Sequence, residues 1–122
     1  MSHIVTIKTE VRDGAAVAAA CHRLALPAPA MGTAQLYSGQ ATGLLVRLPD
    51  WLYPVVIDAD TGTIRYDNYG GAWGDEQHLH RFVQAYVVER SRIEARKKSY
   101  ATTEQSLADG SIVVEIEVGG QA

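Results

Sequence analysis

Cys21 and His22 stand side by side, a thiol next to an imidazole, the pair of groups that a nucleophilic mechanism uses. The segment around them reads as a helix. Consecutive helical residues point about 100° apart, so the two side chains do not face each other and a catalytic dyad is not expected. Cys21 falls on an apolar stripe, where it is a small buried hydrophobe, and His22 falls off it. His78 and His80 are spaced i, i+2, which shares a face on a strand and diverges on a helix. A metal would therefore need His3 together with one of them, and that set is the enzyme or metal-binding alternative. Asp58-x-Asp60 followed by Gly62 has the start of a calcium loop, but Asn68 stands where the closing glutamate belongs, so a hairpin turn is expected. Gly39-Gln40-Ala41-Thr42-Gly43 lacks the Lys-Ser/Thr of a phosphate loop, and Gly70-Gly71-Ala72-Trp73-Gly74 is not a dinucleotide fingerprint. No cofactor, metal or nucleotide is expected, and no catalytic residue is assigned.

Two other groupings point to binding. Arg90, Arg92, Arg96, Lys97 and Lys98 face only Glu89 and Glu94 over residues 89–98. An RNA contact is the sharper reading of that cluster, but cations also complement a helix C-terminus and keep it solvated, and this second reading is preferred. The aromatic residues concentrate between Trp51 and Trp73, which also takes in Tyr53, Tyr66 and Tyr69. Trp51, Tyr53 and Tyr66 are expected in the core. Tyr69, Gly70, Gly71 and Trp73 are expected to form a partner-binding surface, since glycines allow close backbone approach and tryptophan is enriched at interface centres.

The elements that must carry these residues follow from periodicity. Val5, Ile7 and Val11 alternate with polar residues as in a strand, and Asp13 then caps a helix whose stripe is Val17, Ala20, Cys21 and Leu24. Pro27 and Pro29 end that helix, and 26–32 reads as a stiff connector. Leu36–Tyr37 and Leu44, Val46, Leu48 flank a Ser38-Gly39 turn; Tyr53, Val55 and Ile57 pair with Ile64 and Tyr66 across 58–62. Asp75 and Glu76 open a second helix with Leu79, Phe82, Val83, Tyr86, Val87 and Ile93 on one face, ending near Tyr100. A polar strand, the turn 108–110 and alternating Ile112, Val114, Ile116 and Val118 close the chain with a hairpin. The expected fold is α+β, a two-layer sandwich with a mainly antiparallel sheet and two helices on one face, with a ferredoxin-like split β-α-β arrangement as one option. A single domain over 1–122 is expected. Its core is expected to hold Val5, Ile7, Leu44, Val46, Val55, Ile57, Leu79, Phe82, Val83, Tyr86, Ile112, Val114 and Ile116.

Composition narrows the partners. Eleven basic against 14 acidic side chains give a net charge of −3, which provides no global attraction for nucleic acid or anionic lipid. Cys21 is the single cysteine, so neither an internal disulfide nor a thiolate zinc site supports the fold, and a cytoplasmic location is expected. No apolar run approaches the roughly 20 residues of a membrane span. The expected partner is a protein or a second copy of the chain.

Met1-Ser2-His3, Thr6-Ile7-Lys8-Thr9, Trp51-Leu52-Tyr53-Pro54-Val55, Trp73-Gly74, the helix bearing Phe82 and Tyr86, and Asp109-Gly110-Ser111-Ile112-Val113-Val114 resemble the plastid and cyanobacterial hypothetical reading frame thirty-five proteins. The resemblance spans nearly the whole chain. It implies a small cytosolic or plastid protein of unassigned function, encoded near an AAA-type ATPase and another small protein, and it brings no catalytic residue set.

Overall fold

The computed structural model describes residues 4–98 and 101–117. Its elements run β1 (Val5–Lys8), α1 (Gly14–Arg23), β2 (Ala30–Leu36), β3 (Gly39–Val46), β4 (Val55–Asp58), β5 (Thr63–Tyr66), α2 (Glu76–Lys97), β6 (Ala101–Ser106) and β7 (Ile112–Glu117), with a short 3-10 turn at Tyr69–Gly71. β1 to β5 form one antiparallel sheet in the order β1-β5-β4-β3-β2. The α+β sandwich is therefore as expected. β1 and β2 run parallel and are joined through α1, as in a split β-α-β unit, but three strands separate them where the ferredoxin-like order has one.

Asp13 starts α1 by accepting hydrogen bonds from the Ala15 and Ala16 amides, and the helix buries Ala16, Val17, Ala20 and Cys21. It stops where Ala25 takes a left-handed φ of 57° and the Leu26 amide bonds back to the Cys21 carbonyl. Pro27 and Pro29 then prevent its continuation. Asp75 caps α2 through the Gln77 amide. The Tyr86 hydroxyl, 3.1 Å from both the Arg12 and Asp13 amides, accepts from them and fixes α2 to the start of α1. Both helices lie on one face of the sheet, where Val17, Cys21, Val46, Ile57, Ile64 and Phe82 share a closed core. The turn at 58–62 is a hairpin loop as expected: the Asp60 amide bonds the Asp58 carboxylate, and Gly62 adopts φ 74° with its carbonyl accepting from Thr9.

The other face holds a smaller cluster of Ala34, Leu36, Ala41 and Val56, with Ile4, Leu45 and Tyr53 packed against it. No helix covers it. The pairing of β3 with β4 runs only from Val46 to Leu44, whereas β2 and β3 stay paired out to Leu36 and Gly39. The outer half of the β2–β3 hairpin thus leaves β4 and curls over the helix-free face, putting Thr33, Gln35, Gln40 and Thr42 outside. Gly43 permits the close approach at the departure point, because a Cβ there would strike the Ile57 carbonyl. β2 also begins at Ala30, so part of the connector expected over 26–32 is strand.

The expected core requires correction at four positions. Val46, Val55, Ile57, Leu79, Phe82 and Tyr86 are buried together, with Ile7, Leu44 and Val83 packed against them, but Val5 is 37% exposed on the edge strand β1. Ile112, Val114 and Ile116 lie in a separate two-stranded sheet, β6–β7. That hairpin is held to the helices by polar contacts. Glu104 on β6 pairs at 2.7 Å with both Arg23 and Arg92, Arg23 also reaches Glu89 at 3.1 Å, and Gln84 donates to the Gly110 carbonyl. Alternation showed that one side of β7 is apolar; it did not specify which surface that side meets. Val118 and Tyr100 lie outside the described residues.

Candidate interaction surface

The two tryptophans occupy opposite faces of the sheet. Trp51 packs against the helix-side core, edge-on to Tyr66 at 5.6 Å, and its indole N–H donates to the Asp75 carbonyl at 3.0 Å. Gly74 lies flat against the indole, leaving no room for a Cβ. Burial raises the Tyr66 phenol above its ordinary pKa, and the Glu76 charge adds to that shift. Both residues are structural, as expected.

Trp73 belongs to the helix-free side. Its ring stacks on Tyr69 at 4.6 Å and meets Tyr37 at 5.3 Å and Tyr53 at 5.8 Å. Three separate segments therefore converge on one indole: the β2–β3 turn, the stretch before β4, and the loop 67–75. Tyr53 is a correction, since alternation placed it with Val55 and Ile57. Pro54 precedes the strand and interrupts the period-two path, so Tyr53 turns to the opposite cluster.

The loop that carries Trp73 is tightly cross-linked by hydrogen bonds. The Asn68 carbonyl accepts from the Gly71 and Trp73 amides, its buried side chain donates to the Gly74 carbonyl, and the Leu52 amide bonds the Trp73 carbonyl. Tyr69, Gly70 and Gly71 have φ of 48°, 63° and 104°, three successive left-handed residues. The two glycines are needed for that backbone path rather than for space, because a Cβ at either would meet nothing within 4 Å. For Tyr69 the same conformation costs roughly 1–3 kcal/mol, held by the hydrogen bonds around it.

The outcome is an exposed aromatic surface. Tyr37 is 61% exposed, Leu52 58% and Tyr69 49%, beside the half-buried Trp73. The residue that follows β5 is an unusual one to bury. Asp67 is fully buried, and neither of its carboxyl oxygens has a hydrogen-bond partner among the described residues.

Of the residues singled out by sequence, the structure brings Tyr69, Gly70, Gly71 and Trp73 into one loop at this surface. Tyr37 was missed because some thirty residues of chain separate it from Trp73, and only the curl of the β2–β3 hairpin joins them. The signal that was available is a large aromatic in a two-residue turn. The remaining candidates are dispersed. Cys21 is buried and its thiol pKa is pushed up by burial, the reverse of an activated nucleophile, while His22 is exposed. His78 lines a recess with Leu24 and Leu48, His80 is exposed beside a different recess with Ile7 and Thr9, and His3 lies outside the described residues. Among the described residues no three His, Cys, Asp or Glu side chains gather as a metal site. Arg92 and Lys97 are engaged by Glu104 and Glu94, which splits the basic cluster; Arg90, Arg96 and Lys98 are exposed. No helix among the described residues is long and apolar enough to cross a membrane.

No protein-family model matches the chain, and neither a curated protein nor a solved structure matches it.

Proposed function

We propose that this chain is a non-enzymatic protein-interaction module of the cytoplasm that docks a protein partner through Tyr37, Tyr53, Tyr69 and Trp73. The observation that carries the reading is the convergence of three tyrosines on the half-buried Trp73 at a surface with no helix over it. Exposed aromatic clusters of this kind are rare on monomers and resemble the centres of binding interfaces, where large rigid rings give contact area at little entropic cost. The buried Tyr66 and half-buried Trp51 behind the loop hold it in shape, which lowers the ordering cost of binding. The family resemblance adds an AAA-type ATPase as the expected member of the complex.

The test is capture of partners by tagged wild-type protein and by Trp73→Ala from lysate of the source cells. Wild type should retain a stoichiometric partner that the variant loses by roughly thirtyfold, about 2 kcal/mol. Equal capture by both would remove the surface from partner binding. An ATPase of the AAA type among the proteins lost would support the complex that the resemblance suggests.

A further inference from the structure

The β6–β7 hairpin is a sheet of two strands, and two strands alone are marginal in water. β6 is tied to α1 and α2 through Glu104, but among the described residues no strand pairs with the outer edge of β7. The Leu107 amide bonds the Ser111 carbonyl, and the register continues through Gln105–Val113 and Thr103–Glu115. Those odd-numbered residues of β7 exchange hydrogen bonds with β6, so Ile112, Val114 and Ile116 direct their amides and carbonyls away from it. Among the described residues nothing takes up those groups.

Next to this edge is a groove of about 380 Å³ between α2 and β7, lined by Val87, Ala95 and Ile116, with both basic (Arg90, Lys98) and acidic (Glu10, Glu94) residues at its sides. Val87 is 55% exposed and Ile116 42%. Arg90 and Lys98 make no ion pair among the described residues, and neither do Glu115 and Glu117 on β7. A strand added at this edge would continue both faces of β7 if it were apolar toward α2 and acidic on the outer face. β7 itself, Ile-Val-Val-Glu-Ile-Glu, has that composition.

We propose that the occupant is the β7 strand of a second copy, giving a four-stranded antiparallel sheet β6-β7-β7-β6 about a two-fold axis through Val114. In that register Val114 pairs with its own mate and Ile112 pairs with the mate's Ile116 in both directions. Every outward amide and carbonyl of the three residues is then used. One face of the new seam is wholly β-branched and apolar, and on the other Val113 lies opposite the mate's Glu115, so no like charges are directly opposed. Pairing of the same patch on both copies closes the assembly at a dimer. This surface is separate from the Trp73 cluster, and the dimer stands or falls independently of the function proposed above.

Sedimentation equilibrium and amide hydrogen exchange on the full chain test it together. The chain should be a dimer at about 100 µM, with the Ile112, Val114 and Ile116 amides protected and losing protection on dilution. Val114→Pro removes an outward N–H without disturbing the β6 pairing, and Ile116→Lys puts a charge in the apolar seam; each should weaken association about hundredfold or more. Unchanged far-ultraviolet circular dichroism in either variant establishes that the loss is not unfolding. A monomer at that concentration with freely exchanging edge amides overturns the proposal. So does a dimer unaffected by both substitutions, or edge protection that appears only when another protein's strand is added.

Discussion

Trp51 and Trp73 are the same residue placed 22 positions apart on opposite faces of one sheet, both half-buried but in different surroundings. Trp51 has its N–H satisfied by Asp75, a glycine against its ring and the helix-side core beneath it. Trp73 is ringed by tyrosines, two of which, Tyr37 and Tyr69, are exposed. The comparison teaches that the two faces of the sheet are built to different purposes. The helix side is closed by buried aliphatic and aromatic side chains; the helix-free side is closed in part by a curled hairpin and finished with aromatic rings that still meet water.

The largest effect should come from the helix side. Phe82→Ala removes a fully buried ring from the shared core and should cost on the order of 3–5 kcal/mol in denaturant melts. A loss below about 1 kcal/mol would take Phe82 out of the core and erase the contrast between the faces. Gly74→Ala should follow at roughly 1–3 kcal/mol, because the added methyl group must displace the Trp51 ring. If that variant melts like wild type, Trp51 is less tightly fixed than its contacts indicate.

Asp67 sharpens the comparison in the other direction. A buried carboxyl without a hydrogen-bond partner is a liability to the fold, so Asp67→Leu should raise stability by about 1–2 kcal/mol. A destabilised variant would show that the carboxyl has a structural partner after all. If the variant is more stable and also loses partner capture, the carboxyl is retained for partner binding rather than for folding.

The smallest effect belongs to the β6–β7 attachment. The hydrogen bond from Arg23, with Arg92 in support, holds the Glu104 carboxyl below its ordinary 4.5. A carboxyl lowered on folding contributes stability above its unfolded-state pKa and loses it as the pH falls through the folded value. Wild type should therefore exceed Glu104→Gln by under about 1 kcal/mol near neutral pH, with the two converging on acidification below 4.5. A difference independent of pH would assign the effect to packing.

Much of this architecture was legible from the residues. Asp13 and Asp75 mark both helix starts, the 58–62 turn announces its hairpin, and the apolar stripes name the helix faces. The glycine-rich loop was also legible as a surface, through Tyr69 and Trp73. What was hidden is long-range. Period-two alternation identifies an apolar face but not its partner surface, so Ile112, Val114 and Ile116 were assigned to a core they do not enter. Tyr37 reaches Trp73 only because β3 departs from β4 at Gly43, a bend that no local pattern reports. The burial of Asp67 likewise follows from the fold around it and runs against its residue type.

The central claim is that Trp73 serves a partner and Trp51 serves the fold, and paired denaturant melts of Trp51→Ala and Trp73→Ala test it most directly. Trp51→Ala should lose on the order of 3–5 kcal/mol, whereas Trp73→Ala should stay within about 1 kcal/mol of wild type while failing to hold its partner. A loss of 3–5 kcal/mol in Trp73→Ala, on the scale usual for a buried aromatic, would contradict the account.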